Sequence, residues 1–379
     1  MHSVIPIFYY FGKRMGCCKD SLSYWKNGAY LILIWCLVEG TRYGRGPDFF
    51  WYKFQYEQSD QIKGGTQFVF FLINKILLWF DSPYPIPFAL YALFFIISFL
   101  LLNRYWGRAS AFMPIFFLCA VIEYHETFVR QMLSIGMVGF CFNCLLKNEN
   151  KYAVLWAILS FYTHSGSILL LLPVLITYHY FSKKAISPLF AVSLYIIIAF
   201  FSNFSWFAGM QDLWSKIHID IPLFQRYLSR SAVWFSQDAM RTKWTQSLFT
   251  FIMRCSFDVC FIILSHKMLK YVNKKHVKSL VTCYNLSVVG CILLRLFWYL
   301  EMMRRIIFPL YILWFIPVGY AFFIFKKSPN RLVLFLKFII LLYLFMYQSR
   351  FVFLNPDASY IWDQRVRDTY KGTYILRDI

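Results

Sequence analysis

Glu123, His125, Glu126 and Arg130 crowd one short stretch, with Gln131 beside the arginine. Glu126 and Arg130 are four apart, the spacing of an ion pair on one helix face, worth only about 0.3–0.5 kcal/mol when exposed. Two carboxylates, an imidazole and a guanidinium beside apolar helices exceed what such a pair requires. Glu123, His125 and Glu126 also have the ligand types for a divalent cation, but no D-x-D accompanies them. Upstream, Thr41-Arg42-Tyr43-Gly44-Arg45-Gly46-Pro47-Asp48 turns on two glycines and a proline between two arginines and an aspartate. Such a loop suits a phosphate held by guanidinium and backbone N–H groups. A solvated turn with Arg42 snorkelling to lipid headgroups explains the same residues. His164, in Tyr162-Thr163-His164-Ser165-Gly166-Ser167, is either a hydrogen-bonded structural residue or a proton exchanger near neutral pH. Arg226, Arg230 and Trp234, in a stretch where aromatics alternate with charge, suit sugar rings or an interfacial belt. Glu301-Met302-Met303-Arg304-Arg305 again offers paired guanidinium groups.

The elements that must position these groups are membrane helices. Of 379 residues, 59% are hydrophobic and 15% charged, against about 45–50% and 25% in soluble chains. The mean hydropathy of +0.52 agrees. A soluble enzyme or nucleic-acid-binding domain is excluded, and the net charge of +21 is a topology signal. Apolar runs place spans near 22–40, 84–102, 110–122, 131–146, 152–162, 166–181, 186–207, 246–266, 279–299, 306–325 and 332–347. The segment 67–80, with Asn74 and Lys75, is too short and reads as a re-entrant or interfacial helix. The expected fold is therefore an all-α polytopic membrane protein of about 11 spans. Residues 1–27 form a basic cytoplasmic tail, with the first apolar run after it read as a retained anchor; 28–347 form a single transmembrane domain, and 348–379 an outer tail. Outer loops at 41–83, 123–130, 208–245 and 300–305 carry the candidate site.

With the N-terminus inside, the inner segments hold 18 basic residues against two carboxylates, and the outer ones 17 against 14. Inner bases are mostly Lys and outer ones mostly Arg. Arg presents a rigid fork for phosphate or carboxylate oxygens, while Lys is a point charge suited to anionic lipid. Of ten cysteines, none falls in an outer loop, and Cys141-x-x-Cys144 reads as apolar packing inside a helix. No P-loop, Gly-rich dinucleotide motif, G-x-S-x-G or H-E-x-x-H occurs.

The order of motifs resembles a family. The Arg42–Asp48 loop follows the first span, then comes Gln67-Phe68-Val69-Phe70-Phe71-Leu72-Ile73-Asn74-Lys75. Val129-Arg130-Gln131-Met132 opens a long helix, and Tyr162-Thr163-His164-Ser165 lies about 30 residues on. Arg304-Arg305 and the tail Tyr370-Lys371-Gly372-Thr373-Tyr374 complete the series. Over about residues 25–375 the chain resembles the EpsG-like branch of Wzy-type bacterial polysaccharide polymerases. It departs from the pattern at Pro47 and across 208–245.

The resemblance implies joining of undecaprenyl-diphosphate-linked oligosaccharides, donor and acceptor both, at the outer face of the bacterial inner membrane. It implies a fold similar to the C-type glycosyltransferases, no cofactor or nucleotide sugar, no metal, no nucleic acid, and a chain-length regulator as partner. A departing diphosphate needs positive charge, for which Arg42, Arg130, Arg304 and Arg305 are the candidates, with Arg45 in reserve. A base must take the proton of the attacking hydroxyl; Glu126 and His164 are preferred, with Asp48 an alternative or an orienter of Arg42. Tyr52, Arg226, Arg230 and Trp234 are the glycan-binding candidates. The rival readings are a lipid-linked oligosaccharide flippase, expected to line a central cavity with basic residues, and another outer-face transferase such as an O-antigen ligase.

Overall fold

The apolar runs fold as helices. A computed structural model describes residues 4–41, 49–62, 65–127, 129–201, 248–298 and 301–353, and no strand occurs among them. The chain starts with α1 (Val4–Cys17), α2 (Ser21–Gly40), α3 (Phe49–Glu57) and α4 (Phe68–Trp79). Next come α5 (Pro85–Tyr105), α6 (Met113–Thr127), α7 (Val129–Leu146) and α8 (Asn150–Thr163). A 3₁₀ turn at Ser165–Ser167 leads into α9 (Ile168–Ile176), which ends in a π-helical turn, Thr177–Phe181, before α10 (Pro188–Phe201). The last group is α11 (Leu248–Leu269), α12 (Lys274–Leu296), α13 (Glu301–Tyr311), α14 (Phe315–Ile324) and α15 (Arg331–Phe353).

Among the described residues, five stretches are long and apolar enough to cross a membrane by length and composition: Pro85–Tyr105, Val129–Leu146, Leu248–Leu269, Lys274–Leu296 and Met303–Ile324. The protein is thus a multi-pass helical membrane protein. Exposed Leu33 and Leu37 on α2, and Leu189, Phe190, Ile197 and Phe200 on α10, are apolar surface suited to lipid.

One expectation is revised. Within residues 1–27, expected as a basic tail, α1 is a packed helix with Phe8 and Met15 fully buried. Gly12 and Gly16 let it approach the turn ahead of α6; a Cβ at Gly16 would stand 2.7 Å from the Ala111 Cβ. Val4, Phe8 and Met15 form a helical stripe that the basic composition of this segment masks.

The core is aromatic. Phe99 of α5 stacks on Phe117 of α6 at 3.9 Å, and Phe315 of α14 meets both edge-on at 5.2 and 5.5 Å. α12 and α13 touch at Gly290, where a Cβ would lie 2.4 Å from the Tyr311 nitrogen, so only glycine fits.

Contacts between elements sort the helix ends into two groups. At the Lys-rich end, Tyr24 of α2 donates to the Leu100 carbonyl of α5 at 2.7 Å. Trp106 donates to Ser279 of α12 at 3.3 Å, and Lys278 reaches the Tyr178 ring at 4.0 Å. The opposite end gathers Gly40 against Pro85, Gln67 beside Arg130, and Gln131 beside Arg305. α4 starts and finishes at this second end: Gln67 precedes it, and Ser82, just after it, accepts from Tyr56 of α3.

Candidate functional site

The site is built on two antiparallel helices pinned at one level. Ser134 of α7 and Ser160 of α8 bond reciprocally: each hydroxyl donates to the other's carbonyl, at 3.1 and 3.0 Å, and the two oxygens lie 2.8 Å apart. Thr163 adds a contact to the Met137 sulfur at 3.1 Å. One turn before Ser134 stands Arg130, and one turn after Ser160 stands His164. The serine pair therefore sets an arginine against a histidine across the helix interface, close enough for the guanidinium to act on the imidazole electrostatically.

His164 ends α8 in an extended conformation, its N–H bonded to the Ser160 carbonyl at 3.0 Å and its own carbonyl accepting from Ser167 at 2.8 Å. Gly166 gives the ring its room: a Cβ there would lie 2.7 Å from Cε1 and 2.9 Å from Nδ1. Among the described residues Nδ1 is buried without a hydrogen-bond partner. Burial, then the charge of Arg130, pushes the imidazole down to about 4. At neutral pH the buried imidazole is therefore in its neutral form.

Arg130 opens α7. Its Nη1 donates to the Gln67 side chain, and its guanidinium lies over the rings of Phe70, at 5.6 Å, and Tyr52, at 6.0 Å. Its Nε is buried and, among the described residues, donates to no acceptor. A hydrophobic cluster of Phe49, Tyr52, Phe70, Phe88, Tyr91 and Leu133 holds α3, α4, α5 and α7 around it. The buried Tyr91 hydroxyl bonds Asn74, tying α5 to α4. Next to Arg130, Gln131 donates to the Arg305 carbonyl at 2.6 Å and so brings the start of α13 to the same place.

The structure thus unites Arg130, His164 and the backbone of Arg305, and adds Gln67, which the sequence marked only as part of a motif. An amide amid aromatic residues just ahead of an apolar helix was the available signal. Tyr52 is 7% exposed and serves as a face beneath Arg130, not as an open platform for a sugar. Glu126 lies in α6 while Arg130 opens α7, and Arg130 makes no ion pair among the described residues. Arg304 turns elsewhere, over the Trp298 ring at 4.4 Å. Arg42, Arg45, Asp48, Arg226, Arg230, Trp234 and the side chain of Glu126 lie outside the described residues. Cys141 and Cys144 are buried free thiols, and no three possible metal ligands converge among the described residues.

Fold and site together define a multi-pass helical membrane protein with an arginine–histidine cluster at one end of its bundle. The model of the EpsG family matches residues 28–361, and the chain belongs to that family. No curated protein and no solved structure matches it.

Proposed function

We propose that the protein is a polysaccharide polymerase that joins undecaprenyl-diphosphate-linked oligosaccharide repeat units at the outer face of the bacterial inner membrane. Family membership supports polymerase-like chemistry. The observation that carries the reading is Arg130: a guanidinium without a carboxylate partner among the described residues, with a buried donor to spare, beside a neutral imidazole. The reading retains eleven spans, a cytoplasmic N-terminus and a scaffold resembling the C-type glycosyltransferases.

In the proposed reaction a hydroxyl at the non-reducing end of one repeat attacks the anomeric carbon of the growing chain. A new C–O bond forms as the bond to the lipid diphosphate breaks, and the electron pair leaves with the diphosphate. Arg130, oriented by Gln67, holds the departing oxygens, and its grip strengthens as their charge grows. The hydroxyl's proton goes to His164 or Glu126, with Asp48 the alternative. A neutral imidazole is in the accepting form, and an anion on Arg130 cancels the charge that depresses its basicity.

The test is the glycan ladder of a strain lacking the protein. A surface glycan stopping at one repeat supports polymerisation. Loss of the repeat from the surface, with lipid-linked units accumulating, supports a flippase, and long chains left on their lipid support a ligase. Arg130→Ala is expected to lower polymerisation by roughly a thousandfold with normal membrane levels. Full-length chains from that variant would remove Arg130 from the site.

A further inference from the structure

α11, α12 and α13 bring three arginines to one indole. Arg304 lies over the buried Trp298 ring at 4.4 Å, and Arg254 and Arg295 each lie 5.8 Å from its centre. Contact with an aromatic face is a weak attraction, too little by itself to offset the desolvation of a buried charge. Asp258, one turn deeper on α11, is the carboxylate that the described residues bring to this group, and its oxygens are occupied. Oδ2 accepts from Arg254 at 3.3 Å and from Tyr195 at 2.8 Å, while Oδ1 accepts from Tyr311 at 3.0 Å.

Arg295 has no such partner. It is 6% exposed, and its Nη2 donates to the Ala199 carbonyl at 3.4 Å. Among the described residues its Nε and Nη1 donate to no acceptor, and it makes no ion pair. Each is a charged donor that an anionic oxygen, such as a phosphate oxygen, would satisfy. A buried positive charge left uncompensated by protein carries a desolvation cost that a ligand of opposite charge would offset.

We infer that Arg295, with Arg254 and Arg304 about Trp298, forms a second anion site that takes a phosphate or diphosphate group. It is separate from the cluster of Arg130 and His164. α13 joins the two, since Arg305 meets Gln131 through its carbonyl while Arg304 turns to Trp298. The choice of diphosphate rests on the proposed function, in which two lipid-diphosphate substrates must be held at once.

The experiment uses the full-length protein in lipid nanodiscs. Native mass spectrometry counts bound polyprenyl diphosphate, and calorimetry follows inorganic diphosphate, for the wild type, Arg295→Gln and Arg130→Gln. Wild type is expected to hold two polyprenyl diphosphates and each variant one, with at least a tenfold loss of affinity at the altered site. Arg295→Gln holding two with unchanged affinity overturns the inference, whatever Arg130→Gln does. Loss in Arg295→Gln with two retained in Arg130→Gln supports it and removes Arg130 from the proposed reaction. Arg295-dependent binding of both ligands identifies a lipid headgroup, and of inorganic diphosphate alone a soluble anion; each supports an anion site. Arg295→Met separates ligand binding from folding. It is expected to melt higher than wild type without diphosphate and to lose the rise that diphosphate gives wild type. A lower melting point with that rise intact would make Arg295 a structural residue and overturn the inference.

Discussion

The site turns on a pair whose members change each other. Burial, and after it the charge of Arg130, holds the His164 imidazole at about 4, below the 6.5 of an exposed histidine. The unfolded chain therefore binds the proton more readily than the folded one, so stability is fully present above about pH 6.5 and is lost as pH falls towards 4. His164→Gln is expected to flatten that part of the profile of melting temperature against pH. An unchanged slope would mean the ring is solvated and uncoupled from Arg130. A bound diphosphate should shift the wild-type slope towards higher pH, because it offsets the arginine's charge. That His164 is chemically placed was legible in the sequence, since a polar Tyr-Thr-His-Ser-Gly-Ser break between two apolar runs is unusual. Its protonation state was not, because it depends on Arg130, 34 positions away, and on the ring packing that Gly166 permits.

Among the elements, α4 sets the geometry of the site most directly. It supplies Phe70 beneath Arg130, follows Gln67, and is fixed to α5 through Asn74 and Tyr91. Its 12 residues rise about 18 Å, short of the roughly 30 Å of bilayer hydrocarbon. Cysteines placed at Asp60 and Pro83, on either side of α4, are expected to react with an impermeant maleimide added outside, in a background without the native cysteines. A cysteine at Lys275 is expected to react only after permeabilisation. Opposite labelling of positions 60 and 83 would make α4 a span and invert every later segment. The lysine count at positions 267–278 leads to the same expectation, because a spanning α4 would carry that run outside. α1 was hidden by the same habit of reading charge, which gave its basic residues more weight than the stripe of Val4, Phe8 and Met15.

Across the whole molecule, what was legible was whatever repeats along the chain: apolar runs, and the sorting of Lys and Arg between them. What was not legible was convergence. Tyr195, Asp258, Tyr311 and Tyr343 meet around Arg254 from four helices, and no spacing in the sequence announces it. Arg304 and Arg305 are neighbours, yet a helix sets successive residues about 100° apart, which sends them to different partners. α4 joins the site to its surroundings in another way. While Phe70 faces Arg130, Phe68, Leu72, Ile76 and Trp79 stand exposed along the helix. A polyprenyl tail lying along that stripe would stay in the bilayer while its headgroup reached the guanidinium. Substrate would then arrive by lateral diffusion, and its mole fraction among the lipids would set the rate in place of its bulk concentration. Diluting a fixed amount of substrate and protein with added lipid should slow the reaction in proportion; a rate indifferent to that dilution would mean that substrate is delivered from the aqueous side.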